Sequence, residues 1–264
     1  MMGSVYQNVI VPNDGTADAR LATAPASDLA WRCGAKVVVV SNTAANDKNS
    51  KAAVKLSAIA KSESTVELWV DLENPLPEAA LQAAAHREDS LLCLATPRAM
   101  VGLPGRRRLT VGQVLPELVA RGNDPIMVIG PQVSTAQGLS MNEIVLVLDG
   151  TAESDALLDV AAGWATTFGV RLVLTMVPAP GTDLARPEIQ QYLDRRAELA
   201  ESRVGVSAAL VGDDGGVDGL LALLHDHVSA VVMMSPGPPD VGLSRLAESV
   251  VLGAPNAVVL ARRP

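Results

Sequence analysis

The stretch NVIVPNDGT, residues 8–16, returns 135 positions later as EIVLVLDGT, residues 143–151. In each, an apolar run stops on an acid, a glycine and a hydroxyl: Asp14-Gly15-Thr16 and Asp149-Gly150-Thr151. The correspondence continues without a gap from 8–40 to 143–175, matching Ala26 to Ala161, Ala30 to Ala165, Gly34 to Gly169 and Val38 to Val173. A repeat of this length is a tandem duplication, and it sets the fold before any single element does. The seam falls in GPQVSTAQGLSMNE, 130–143, whose Gly, Ser, Gln and Pro content suits a linker. The expected domains are residues 1–133 and 141–264.

Within each copy, short unbroken apolar runs read as strands buried on both faces, as in a parallel sheet. They are expected at 8–12, 36–40, 66–70, 90–95 and 125–129, and at 143–148, 171–175, 204–210, 230–234 and 257–261. Ala-rich segments between them read as helices: 18–32, 49–61, 77–85 and 110–120, then 153–167, 187–202, 216–225 and 243–252. Strand–helix alternation with right-handed crossovers gives an α/β class: two homologous doubly wound domains, each a five-stranded parallel sheet with four helices. Gly34 and Gly169 stand where a helix C-terminus needs a positive φ. Pro25 falls inside the first expected helix, where an interior proline costs about 3 kcal/mol unless the helix kinks.

The chain has 264 residues, 48% hydrophobic and 19% charged, with a net charge of −8. That acidity speaks against a nucleic-acid partner, which calls for a basic face. Cys33 and Cys93 form neither a disulfide framework nor a metal spacing and read as reduced, buried thiols. A signal-peptide pattern and an 18-residue apolar span are both missing, so the expectation is a cytoplasmic protein without a membrane partner. His86, His225 and His227 read as surface or helix-end residues, and Trp31, Trp69 and Trp164 as packing residues. No nucleophile elbow, Walker loop or G-x-G-x-x-G follows a strand.

Two segments carry a family resemblance: VPNDGT, with the following helix and GAKVVVVS, and LLCLATPRAMVGLPGRRRLTVGQVLPELVARGNDPIMVIG, 91–130. Together with the element order they resemble the universal stress proteins, twice over, across essentially the whole chain. The resemblance implies an adenine-nucleotide alpha-hydrolase-like fold, a stress-response regulatory or binding role without a catalytic site, and pairing of the two copies, with a homodimer beyond it. Members that bind ATP carry G-x2-G-x9-G-[ST] after the fourth strand. Its glycines let backbone N–H groups reach the phosphates, and the next helix offers its positive end. The first-strand acid contacts the nucleoside.

Copy one departs from that motif in either register. Counting back from Gly112 gives Gly102 and then Ala99, and Gln113 replaces the hydroxyl residue; counting forward puts Ala95-Thr96-Pro97-Arg98 at the first turn. Both registers break the motif, so what the resemblance leaves in copy one is a candidate ATP site with a degenerate loop, made of Asp14, Asn42, Thr96, Arg98, Gly102, Gly105, Gly112 and Gln113. Arg106, Arg107 and Arg108 lie in the same segment as a phosphate clamp or a solvated loop. In copy two only six residues separate Gly237 from Ser244, Arg245 takes the hydroxyl position, and Pro236, Pro238 and Pro239 remove donors. Copy two is expected not to bind ATP.

Asp-Gly-Thr has a plainer reading in both copies, a turn whose Asp and Thr cap the next helix. A ligand-free scaffold acting through protein contacts is the rival function. An enzyme of a related superfamily, an ATP pyrophosphatase or electron-transfer flavoprotein, is the third; NDGTAD lacks the S-G-G-x-D-S loop of the former.

Overall fold

In the computed structural model, which describes residues 6–14, 19–42, 66–96, 114–134, 139–178, 184–201, 204–211, 216–227, 229–237 and 242–262, the apolar runs form ten strands. The first repeat supplies β1 (Asn8–Pro12), β2 (Lys36–Ser41), β3 (Val66–Val70), β4 (Ser90–Ala95) and β5 (Ile126–Ile129). The second supplies β6 (Glu143–Leu148), β7 (Arg171–Met176), β8 (Val206–Ala208), β9 (Ala230–Met234) and β10 (Ala257–Leu260). The described helices are α1 (Thr23–Cys33), α2 (Leu76–Ala85), α3 (Val114–Arg121), α4 (Ala152–Asp155), α5 (Leu157–Phe168), α6 (Arg186–Glu201), α7 (Gly216–Asp226) and α8 (Arg245–Gly253). The helix expected at 49–61 and the first residues of the one expected at 110–120 lie outside the described residues.

All ten strands form one sheet in the order β3-β2-β1-β4-β5-β10-β9-β6-β7-β8. Pairing is parallel inside each repeat, and the repeats meet where β5 and β10 pair antiparallel, Val128 opposite Val258. Helices α1, α5 and α6 cover one face and α2, α3, α7 and α8 the other. Each of these two cores draws buried side chains from both repeats. The architecture is the expected doubly wound α/β, with the two sheets fused into one.

Several expected elements take a different form for local reasons. The segment expected as one helix from Asp18 is a 3₁₀ turn, Ala19–Ala22, followed by α1. Pro25 therefore sits in the first turn of α1, where its missing N–H has no intrahelical acceptor to lose. The segment expected as 153–167 likewise breaks, into α4 and α5 around Ala156. Gly34 and Gly169 end α1 and α5 at φ 67° and 64°.

The edge strands depart from the rule of burial on both faces. In β3, Glu67, Leu68 and Val70 are exposed, and β8 keeps only three residues because its pairing with β7 stops at Ala208. The expected linker is partly core: Val133, Leu139 and Met141 are buried. Gly130 is required at its start, since a Cβ there would lie 2.1 Å from the Val251 carbonyl oxygen. Trp164 is fully buried as expected, whereas Trp31, expected to pack, is 66% exposed. Cys93 is buried, but Cys33 is only half-buried.

Candidate functional site

In an open α/β sheet, ligands bind beyond the carboxyl ends of the strands. In the first repeat that mouth is polar. The backbone N–H of Asn13 donates to Val40 at 2.8 Å, and that of Asp71 donates to Ser41 at 3.0 Å. Asn13, Ser41 and Thr96 are buried, Asn42 is half-buried and Asp14 is exposed. Asp71 accepts from the Asn74 side chain and from the backbone of Glu73 and Asn74, bonds that hold its carboxyl below the usual range.

The fold thus brings Asp14, Asn42 and Thr96 to the ends of three adjacent strands. Thr96 serves the scaffold, since its hydroxyl donates to the Ile129 carbonyl at 3.4 Å and its N–H to the same oxygen at 3.0 Å. Arg98, Gly102, Gly105, Gly112 and Gln113 lie outside the described residues, as do Arg106, Arg107 and Arg108.

The second mouth is closed on itself. Asp149 Oδ1 accepts from the Thr151 N–H at 2.9 Å and from its hydroxyl at 2.6 Å. Thr151 in turn caps α4, its Oγ1 accepting from the Ser154 N–H at 3.2 Å. Asp-Gly-Thr in this repeat is a turn and a cap. Past β9, the Ser244 N–H donates to the Pro236 carbonyl at 2.6 Å, and Ser244 Oγ accepts from the Ala247 N–H at 3.2 Å. Gly237, at φ 109°, packs so tightly that a Cβ would stand 2.9 Å from Ser244 Cβ. Two N–H groups at this helix end, those of Ser244 and Ala247, are thus engaged within the turn itself.

Sequence reasoning missed three clusters. Glu143, at the start of β6, accepts from the Arg171 side chain at 3.1 Å and lies 2.5 Å from His227 Nδ1. His227 is thus a hydrogen-bond partner of Glu143 as well as a helix-end residue; cross-strand register alone could have linked Glu143 to Arg171. Asp155 holds both Tyr192 and Arg196, and burial with the Asp155 bond pushes the Tyr192 hydroxyl up to about 12. Asp155 and Arg196 border a groove of about 510 Å³ between α5 and α6 that no strand-end residue lines. Arg262 ties the two repeats together, with no sequence signal to announce it. Among the described residues, no group of three or more His, Cys, Asp or Glu side chains could hold a metal ion, and no helix is long and apolar enough to cross a membrane.

Comparison with solved structures finds the same architecture end to end. A universal stress protein from Archaeoglobus fulgidus DSM 4304 superposes with a TM-score of 0.70 at 15% identity, covering 98% of this chain and 99% of the other. The fold is that of the universal stress proteins. A Pseudomonas aeruginosa UCBPP-PA14 protein assigned to the same group gives 0.58 at 11% identity, covering 98% and 94%. The cytoplasmic domain of a prokaryotic cation chloride cotransporter also gives 0.58, at 14% identity over 97% and 95%. The universal stress protein fold therefore recurs in a transporter domain. No family model matches the chain, and no curated protein does.

Proposed function

We propose that the chain is a stress-response regulatory protein of the universal stress family, with residues 1–133 and 141–264 as its domains. In this reading the first domain holds an adenine nucleotide and the second is its ligand-free structural partner. The observation that carries it is the asymmetry of the two mouths. Past β9 the Ser244 N–H closes onto the Pro236 carbonyl, whereas the first mouth sets an exposed Asp14 with Asn13, Ser41 and Asn42 at the ends of adjacent strands. Asp14 and Asn42 would meet the nucleoside, and Arg98, Gly102, Gly105, Gly112 and Gln113 the phosphates, with Thr96 shaping the strand end. The protein acts in the cytoplasm by binding rather than by a catalytic step, and two chains associate further.

Calorimetric titration of the full chain with ATP and Mg²⁺ tests the ligand part. The expected result is one site per chain, weakened at least tenfold by Asp14→Ala and unaffected by Asp149→Ala. Absence of heat and of any thermal shift at millimolar nucleotide would leave the scaffold reading, which the closed second mouth favours on its own. Sedimentation would reveal whether the chain is a dimer.

A further inference from the structure

Because β5 and β10 run antiparallel, the helices that lead into them also run from one mouth to the other. Helix α3 directly follows the 97–113 segment and ends beside the second mouth. There Arg262, just past β10, donates from Nη1 to the Val119 carbonyl at 2.5 Å and from Nη2 to the Gly237 carbonyl at 3.4 Å. Helix α8 starts at the second mouth with its Ser244 cap and ends against the first, where the Val251 carbonyl abuts Gly130. The contacts are reciprocal: each repeat's tail past its last strand touches the other repeat's last helix.

Arg262 is an unusual residue to spend on this join. No carboxylate among the described residues pairs with it, its Nε is buried without a hydrogen-bond partner, and burial lowers its pKa. Its two acceptors are an orphan carbonyl in the last turn of α3, where a cation is favoured by the helix dipole, and the carbonyl of Gly237, the residue that packs against Ser244.

We propose that α3 and α8 couple the two mouths mechanically, with Arg262 as the latch that passes the state of the Pro236–Ser244 closure to the C-terminal turn of α3. Occupation or loosening of one mouth then alters the helix that leads from the other. The coupling rests on the seam geometry and is tested without nucleotide, so it stands or falls separately from the ligand assignment.

Amide hydrogen exchange of the full chain reads it out at Gly122, whose N–H donates to Leu118 at 2.7 Å in the last turn of α3. Ser244→Ala removes the hydroxyl cap of α8; the Ser244 N–H bond to Pro236 is kept, and the closure loosens through fraying of the uncapped first turn. With Arg262 present, it is expected to speed exchange at Gly122 roughly five- to tenfold, the scale of local opening when a cap or charged hydrogen bond is lost. Strand amides of β6 should be unchanged. In an Arg262→Ala background, Gly122 starts fast and Ser244→Ala adds nothing. Equal acceleration in both backgrounds, or none with Arg262 present, overturns the latch. Arg262→Lys, which keeps the charge but cannot bridge both carbonyls, should transmit less than half of the effect; full transmission also overturns it.

Discussion

Trp164 donates its indole N–H to the Tyr6 hydroxyl at 3.1 Å, joining the second repeat to the residue that precedes β1. Burial raises the Tyr6 hydroxyl above its ordinary 10.0, and burial raises the half-buried Cys33 thiol from 9.0 to about 11. Both groups hold their protons more tightly folded than unfolded, so their contribution is complete below the unfolded values and is lost as pH rises past them. Denaturant titrations should show stability level up to about pH 9 and declining above it. Cys33→Ala should lessen the onset of that decline, to which the buried Cys93 thiol also contributes, and Tyr6→Phe should lessen its continuation, shared with Tyr192. At pH 7, Tyr6→Phe should cost about 1–3 kcal/mol by orphaning the Trp164 N–H. Gly130→Ala forces a Cβ onto a backbone oxygen, and urea unfolding should show a loss of about 1–3 kcal/mol or more. Neither Gly130 nor Arg262 was legible as a seam residue, because their partners, Val251 and Val119, lie more than a hundred positions away.

Among the elements, the strands and the positive-φ glycines were readable because local apolar runs and helix ends are local facts. Strand starts at Asn8, Ser90, Glu143 and Ala230 fall where the runs begin. The breaks after Ala22 and at Ala156 were not readable, since an Ala-rich stretch favours helix throughout and only packing decides where one axis yields to another. The apolar run 204–210 exceeded its strand, whose register with β7 covers only Val206–Ala208, although β7 itself runs on to Met176. The turn-and-cap reading of Asp-Gly-Thr holds in full at Asp149–Ser154. Thr151→Ala and Ser244→Ala each remove an N-cap acceptor, and each should lower the midpoint of thermal unfolding through a loss of about 1 kcal/mol. Thr151→Ser should retain most of that stability.

Over the whole molecule, both cores run through the β5–β10 seam. Calorimetry should therefore give one transition with matching calorimetric and van 't Hoff enthalpies; two resolved transitions would mean that the repeats unfold separately. The duplication was visible in the sequence, but the direction of β5 relative to β10 was not, because two apolar runs carry no sign of parallel or antiparallel pairing. That direction has a consequence for how the protein can be used. The carboxyl ends of β1 to β5 and those of β6 to β10 face opposite edges of the sheet. No one small molecule can span both, and a partner seated on one edge leaves the other uncovered. The chain thus carries two strand-end surfaces that look away from each other across one continuous sheet.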